Sequence, residues 1–102
     1  MFKLTDYIPR VELETFCRRN HIPKMSLFGS ALRDELKPGS DIDILVEFDK
    51  NHIPGLLDLA GIEIELTEMS GRKVDLRTPA ELSRYFRDDV LEKARIEYAI
   101  ER

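Results

Sequence analysis

The chain has 102 residues, 42% hydrophobic and 35% charged, a composition that predicts one globular domain over residues 1–102 and excludes disordered and collagen-like chains. The 16 basic and 20 acidic residues give a net charge of −4, so we expect no direct nucleic-acid binding. No apolar run approaches the roughly 20 residues that span a bilayer, and we expect a cytoplasmic protein with no membrane association. One small domain has no room for a separate acceptor-binding region, so a large substrate has to come from a partner.

The first third of the chain predicts a helix, a strand and a short second helix. Apolar residues at helical spacing favour a helix over 11–20, with the only cysteine, Cys17, buried and without a chemical role. Lys24–Phe28 is typical of a short strand. A glycine and a serine then break this strand and open a short helix over 31–36.

The strongest strand pattern in the sequence follows the turn at 37–40. Residues 41–48 are rich in β-branched side chains that alternate with polar ones, which predicts a central strand. Residues 56–69 predict a helix, although the alternation over 62–66 and the helix-weakening Gly61 leave a strand open as an alternative.

The last third predicts one further strand and then helix. Gly71 is placed to cap the preceding helix, and residues 72–77 predict a short strand. A capping box at 78–81 starts helical segments that are expected to continue to Arg102, with Leu91, Ala94 and Tyr98 as their core stripe. The sequence therefore predicts an α/β (α+β) domain with a sheet of about three strands covered by helices.

Two aspartates at the start of the central strand are the first candidates for chemistry. Asp41 and Asp43 are two residues apart, so their carboxylates are expected on one face of the strand. Carboxylate oxygens suit Mg²⁺, which keeps several waters and binds substrate phosphates. For an isolated pair, a solvated strand end with outward-facing polar residues is the preferred interpretation, and an Asp-x-Asp pair also occurs in sugar-nucleotide glycosyltransferases.

Two further features of the sequence add candidate site residues to this aspartate pair. Gly29 and Ser30 lie between a strand and a helix, where backbone amides and a hydroxyl can bind phosphate; a simple capped turn is the alternative. Asp75 is expected to point away from the core, towards the first two aspartates if the strands are neighbours. Its alternative is a surface ion pair with Lys73 or Arg77. Three converging carboxylates would repel one another unless cations were present.

These motifs resemble the minimal nucleotidyltransferases of the DNA polymerase β-like nucleotidyltransferase superfamily. The resemblance rests on Leu-Phe-Gly-Ser at 27–30, Ser-Asp-Ile-Asp at 40–43 and Lys-Val-Asp-Leu at 73–76, and it extends over most of 11–98. It implies a mixed-sheet core that transfers AMP from ATP with release of pyrophosphate. The implied roles are two Mg²⁺ ions on Asp41, Asp43 and Asp75, and nucleotide binding by residues Gly29, Ser30, Arg33 and Ser40.

The resemblance also implies a partner. Antitoxins of this family act with a HEPN-domain ribonuclease toxin and adenylylate a toxin tyrosine, and this is the first functional hypothesis. An oligomer within the toxin complex is compatible with it. A non-catalytic antitoxin that neutralises by binding is one alternative. A transferase acting on a small hydroxylated molecule such as an aminoglycoside is the other. His21 and His52 have no clustered ligands in the sequence and are interpreted as loop residues.

Overall fold

The structure, a computed structural model, describes residues 2–29 and 40–100. The predicted helix at 31–36, the first three residues of the predicted turn at 37–40, Ser30 and Arg33 lie outside these residues. Among the described residues, single turns of 3₁₀ helix lie at Leu4–Asp6 and Pro79–Glu81. The regular elements in chain order are α1 Arg10–Arg19, β1 Lys24–Phe28, β2 Ile42–Glu47, α2 Leu56–Ser70, β3 Val74–Arg77, α3 Arg87–Lys93 and β4 Arg95–Ala99.

The strands form a mixed sheet in the order β3-β2-β1-β4. β1 runs antiparallel to both β2 and β4, whereas β2 and β3 are parallel and are connected through α2. The predicted α+β class and the inner position of the 41–48 strand are confirmed. The expected count of about three strands is wrong by one, because β4 was predicted as helix.

One face of the sheet carries the hydrophobic core. Ile42, Ile44 and Val46 alternate along β2 and are fully buried, together with core residues of α1 and α2. The predicted α1 stripe is confirmed, since its three members are buried: Leu13, Phe16 and Cys17. Because side chains alternate in a strand, the residues between these core positions project from the opposite face.

Helix α2 settles the ambiguity at 62–66 in favour of helix. Ile62 and Leu66 are buried one turn apart, while Ile64 between them is 59% exposed, as a helix and not a strand requires. Gly71 ends the helix with a φ of +71° and donates its N–H to the Thr67 carbonyl at 3.0 Å. The predicted glycine cap is thereby confirmed.

The C-terminal segment departs from prediction. The capping box at Thr78 and Glu81 is present, but it closes only one 3₁₀ turn. After α3 the backbone extends at Ala94, with ψ 136°, and continues as β4. The expected core stripe is wrong: Leu91 is 38% exposed, and Tyr98 packs on the core from a strand. The continuous helix fails because β1 has an edge whose hydrogen bonds β4 completes.

No helix among residues 2–29 and 40–100 is long and apolar enough to cross a membrane.

Candidate functional site

Two predicted site carboxylates are neighbours in the sheet. Asp43 is the second residue of β2 and Asp75 is the second residue of β3, and the parallel register sets them directly opposite each other. Both are half-buried, whereas their strand neighbours Ile42 and Val74 are buried in the core. Asp43 and Asp75 therefore project together from the face opposite α1 and α2.

Gly29 lies against the Asp43 carboxylate. It follows Phe28, which pairs with Asp43 across β1 and β2, and its φ of +67° is in the left-handed region that favours glycine. A Cβ atom on Gly29 would lie 2.2 Å from Asp43 Oδ2. Only a residue without a side chain lets the backbone approach the carboxylate this closely.

Asp41 lies just before β2, and its side chain is more exposed to solvent than that of Asp75. Its Oδ2 is 4.0 Å from Lys73 Nζ, with 44% and 75% of the two side chains exposed. An exposed pair of this kind contributes little to stability. Ile42 donates its N–H to the Lys73 carbonyl at 2.8 Å, which aligns the beginnings of β2 and β3.

Asp75 has a cationic neighbour on its own strand. Arg77 Nε lies 3.1 Å from Asp75 Oδ1, and Arg77 Nη1 lies 3.8 Å from Glu81 Oε2. This is the surface pairing that sequence analysis gave as the alternative for Asp75. Arg77 was not predicted as a site residue, although its position two residues along the same strand face was the available signal.

Ser40 is connected to the site through its backbone. Its carbonyl accepts a hydrogen bond from Arg72 Nη2 at 3.2 Å, and the Arg72 guanidinium also lies 5.9 Å from the centre of the Tyr7 ring. Arg72 therefore helps to position the chain that leads into Asp41 and β2. The nucleotide-binding roles of Ser40, Ser30 and Arg33 stay predictions.

α2 supports β3 along the outer edge of the sheet. Thr67 Oγ1 accepts the Val74 N–H at 3.1 Å, and Glu63 Oε2 accepts the Leu76 N–H at 2.8 Å. These two N–H groups flank Asp75 in sequence, so the contacts fix the strand segment that carries it. Sequence analysis missed this role because the i, i+4 spacing of Glu63 and Thr67 has no meaning until β3 lies beside α2.

The donor set fits a hard divalent cation, but it is not a closed cage. Asp43 and Asp75 offer only oxygen ligands, and Gly29 leaves the approach to Asp43 free of a side chain. Within the described residues, no group of three or more His, Cys, Asp or Glu is arranged to hold a metal ion. The convergence of all three aspartates on two ions therefore stays a prediction.

The cysteine and the two histidines considered in the sequence analysis do not belong to this site. Cys17 is buried in the core as predicted, and desolvation raises the pKa of its thiol to about 12. His21 and His52 follow α1 and β2 and stack with ring centres 3.7 Å apart. No metal-ligating group of three surrounds them among the described residues.

The sequence matches the nucleotidyltransferase domain family over residues 11–97. A Methanocaldococcus jannaschii protein named as a candidate protein adenylyltransferase is 40% identical over 76 residues, which cover 74% of this chain and 80% of that protein. The protein adenylyltransferase MntA of Thermococcus cleftensis is 42% identical over 55 residues, 54% of each chain.

Solved structures share the fold. A protein described as a candidate minimal nucleotidyltransferase has a TM-score of 0.70 at 30% identity, over 91% of this chain and 94% of that one. A toxin–antitoxin complex with AMP-PNP gives 0.74 at 19% identity, over 92% and 76%. A complex of a tri-AMPylated Shewanella oneidensis HEPN toxin with its MNT antitoxin gives 0.64 at 18% identity, over 88% and 69%. The last two similarities show the fold alone.

Proposed function

Because this chain belongs to the nucleotidyltransferase domain family, we propose that it transfers AMP from ATP to a tyrosine hydroxyl of a HEPN ribonuclease toxin, releases pyrophosphate and so acts as an antitoxin. The observation that carries the proposal is the placement of Asp43 opposite Asp75, with the side-chain-free Gly29 against Asp43. The names of its relatives support a protein acceptor. The fold is shared with a chain in solved toxin–antitoxin complexes.

Asp43 and Asp75, with Asp41 beside them, are the residues that would hold Mg²⁺, and two ions are expected from the family resemblance. When bound, such ions neutralise phosphate oxygens and lower the pKa of an attacking hydroxyl. Arg77 contacts only Oδ1 of Asp75, at 3.1 Å, and Glu81, within 3.8 Å of Arg77, is a second acceptor for the guanidinium if a cation displaces it.

The chain's own contribution is positioning. The parallel register holds Asp43 and Asp75 at one end of the sheet, and α2 fixes the β3 backbone on both sides of Asp75. Gly29 leaves room for the phosphate tail beside Asp43. Asp75 is also the proposed acceptor of the proton that the attacking hydroxyl loses.

The acceptor has to be supplied in trans. The described residues form one small sheet with helical cover, and Asp41 and Asp75 face solvent at its end with 44% and 33% of their side chains exposed. An open site of this kind suits a protruding side chain of another protein. ATP and Mg²⁺ are available in the cytoplasm, which is the proposed location.

The direct test is incubation with ATP labelled on the α-phosphate, Mg²⁺ and a HEPN ribonuclease toxin, sought among the genes that neighbour the one for this chain. We expect label on a toxin tyrosine, identified by mass spectrometry. Asp43→Asn should reduce transfer by at least about 100-fold, because Asp43 is proposed to hold the metal directly and the loss of a residue that only contacts a metal ligand already costs about 10–100-fold. Asp88→Asn, an exposed carboxylate of α3, is the matched control and should leave transfer unchanged. Label on small hydroxylated molecules alone would contradict the protein acceptor.

One observation favours neutralisation by binding alone. Asp75 and Asp41 are each near a cationic side chain of the chain itself, Arg77 and Lys73. If those pairs persist with ATP and Mg²⁺ present, the carboxylates are structural. Asp43→Asn distinguishes the two functions, because a binding antitoxin would still protect cells from the toxin at equal abundance, and a transferase would not.

A further inference from the structure

Helix α2 has a second apolar face that the fold does not bury. Its inner face packs Ile62 and Leu66 in the core. On the outer side, Leu57 is 90% exposed and Ile64 is 59% exposed, and Gly61 lies between them at helical spacing. The same surface includes Leu56 and Ile53, which are 87% and 71% exposed. We call this surface the outer α2 stripe, defined as Ile53, Leu56, Leu57, Gly61 and Ile64.

The shape of the stripe suits a helix. Leu57, Gly61 and Ile64 follow the i, i+4, i+7 spacing that packs against the ridges of another helix. A Cβ at Gly61 would meet nothing within 4 Å, so this position is an open notch between two large side chains. Beside it runs a shallow groove of about 560 Å³, with Ile53 and Leu57 among its lining residues. Exposed apolar surfaces of this kind mark interaction sites.

The charges around the stripe select the partner. α2 contains four acidic and no basic residues. Glu65 pairs with Arg19 and Glu63 binds the Leu76 N–H, but Asp58 and Glu68 are exposed and have no ion pair within residues 2–29 and 40–100. Asp58 lines the groove that contains Leu57 and Gly61, and Glu68 lies one helical turn beyond Ile64. A second copy of the chain would bring like charges together, and an anionic membrane surface would be repelled.

The position of the stripe leaves the carboxylate site accessible. α2 covers the core face of the sheet, whereas Asp43 and Asp75 project from the other face. A partner on the outer side of α2 therefore does not occupy the space in front of Asp43.

We propose that the outer α2 stripe docks an amphipathic helix of a protein partner, whose apolar side chains are flanked by Lys and Arg. The inference goes beyond the proposed transfer, because it rests on α2 and not on the carboxylates. A toxin that presents such a helix would be held on one side of the sheet while its tyrosine reaches the other.

The test is fluorescence anisotropy of three labelled helical peptides with the full chain. One peptide carries a leucine stripe flanked by Lys, the second has the same stripe flanked by Glu, and the third keeps the composition of the first in scrambled order. We expect saturable binding of the first peptide only. Equal binding of the scrambled peptide would overturn the proposal, because it would reduce the effect to net charge.

Variants of the chain distinguish docking on the outer α2 stripe from non-specific electrostatic attraction of a basic peptide. Leu57→Glu and Ile64→Glu each make the chain more acidic, so non-specific attraction of a basic peptide would increase; we expect affinity to fall at least about tenfold instead. Val11→Glu, on a 73% exposed residue of α1, is the matched control and should not weaken binding. The Asp58→Asn, Glu68→Gln double variant should weaken binding and flatten its salt dependence.

Two further measurements complete the test. Asp43→Asn should bind the first peptide with unchanged affinity, which keeps this proposal separate from transfer; a loss there would contradict it. Sedimentation velocity should show that Leu57→Glu leaves the assembly state unchanged. A dimer that dissociates in Leu57→Glu would assign the stripe to a second copy and overturn the proposal.

Discussion

Gly29 is constrained twice, by its backbone angle and by the carboxylate it faces. Gly29→Ala places a side chain at φ +67°, which costs about 1–2 kcal/mol in the left-handed region, and brings its Cβ to 2.2 Å from Asp43 Oδ2. Asp43 has to move, so we expect AMP transfer to be lost along with this stability. Urea unfolding and the labelled-ATP assay measure the two effects.

Gly71→Ala is the matched control for this change. Gly71 has nearly the same φ, +71°, but a Cβ there would meet nothing within 4 Å. It should show the stability loss of about 1–2 kcal/mol without the loss of transfer. Equal AMP transfer by both variants would show that Gly29 is needed only for its positive φ and not for the close approach to Asp43.

The buried thiol of Cys17 gives a prediction at high pH. Desolvation raises its pKa from 9.0 to about 12, so the folded chain keeps the proton that the unfolded chain loses. This contribution to stability is fully present below about pH 9 and is lost as the pH rises to about 12. We expect the free energy of unfolding to fall less steeply over this range in Cys17→Ala than in the unchanged chain. Identical slopes would exclude the effect.

At the scale of elements, α2 and β3 depend on each other. Glu63→Ala removes the acceptor of the Leu76 N–H in a partly buried hydrogen bond, which should cost about 1–3 kcal/mol. Glu68→Ala, at an exposed position five residues further along α2, should change stability by no more than about 0.5 kcal/mol. Urea denaturation compares the two. A similar small effect of both substitutions would show that water replaces Glu63 at this edge.

Local patterns were sufficient for the elements that carry their own periodicity. The buried stripe of α1, the alternation of β2 and the glycine cap of α2 are each encoded within a few residues, and the structure has them where the sequence predicted. β4 was missed because Leu91, Ala94 and Tyr98 have helical spacing, while the need for a strand comes from the unpaired edge of β1, some 70 residues earlier in the chain. A partner so distant in sequence leaves no local signal.

The candidate site also has features that the local sequence predicts and features that depend on distant residues. The outward orientation of Asp75 follows from the burial of Val74 and Leu76 on either side, which alternation predicts. Its position opposite Asp43 depends on the parallel pairing of two strands that a helix separates, and this register cannot be derived from either strand alone. The Arg77 contact was foreseen only as one of two possible pairings, because Lys73 and Arg77 are equally close in sequence.

At the scale of the whole molecule, the sheet separates two surfaces with different chemistry. Its core face is covered by α1 and by α2, whose outer side presents the apolar stripe. Its opposite face carries Asp43 and Asp75. A protein that has to hold a macromolecular acceptor and modify it benefits from this separation, because docking and transfer do not compete for the same surface.

Strand β4 connects the C-terminal part of the chain to its N-terminal residues and to β1. Arg95 donates a hydrogen bond to the Phe2 carbonyl, and β4 pairs with β1 from Lys24 to Leu27. Ending the chain at Ala94 would turn β1 into an edge strand with unpaired N–H and C=O groups. We expect this truncation to lose cooperative thermal unfolding and to associate with rising concentration, whereas a chain ending at Ile100 should unfold in one transition. Circular dichroism and sedimentation compare the two, and an unchanged melting temperature in the shorter chain would mean that β4 is dispensable for folding.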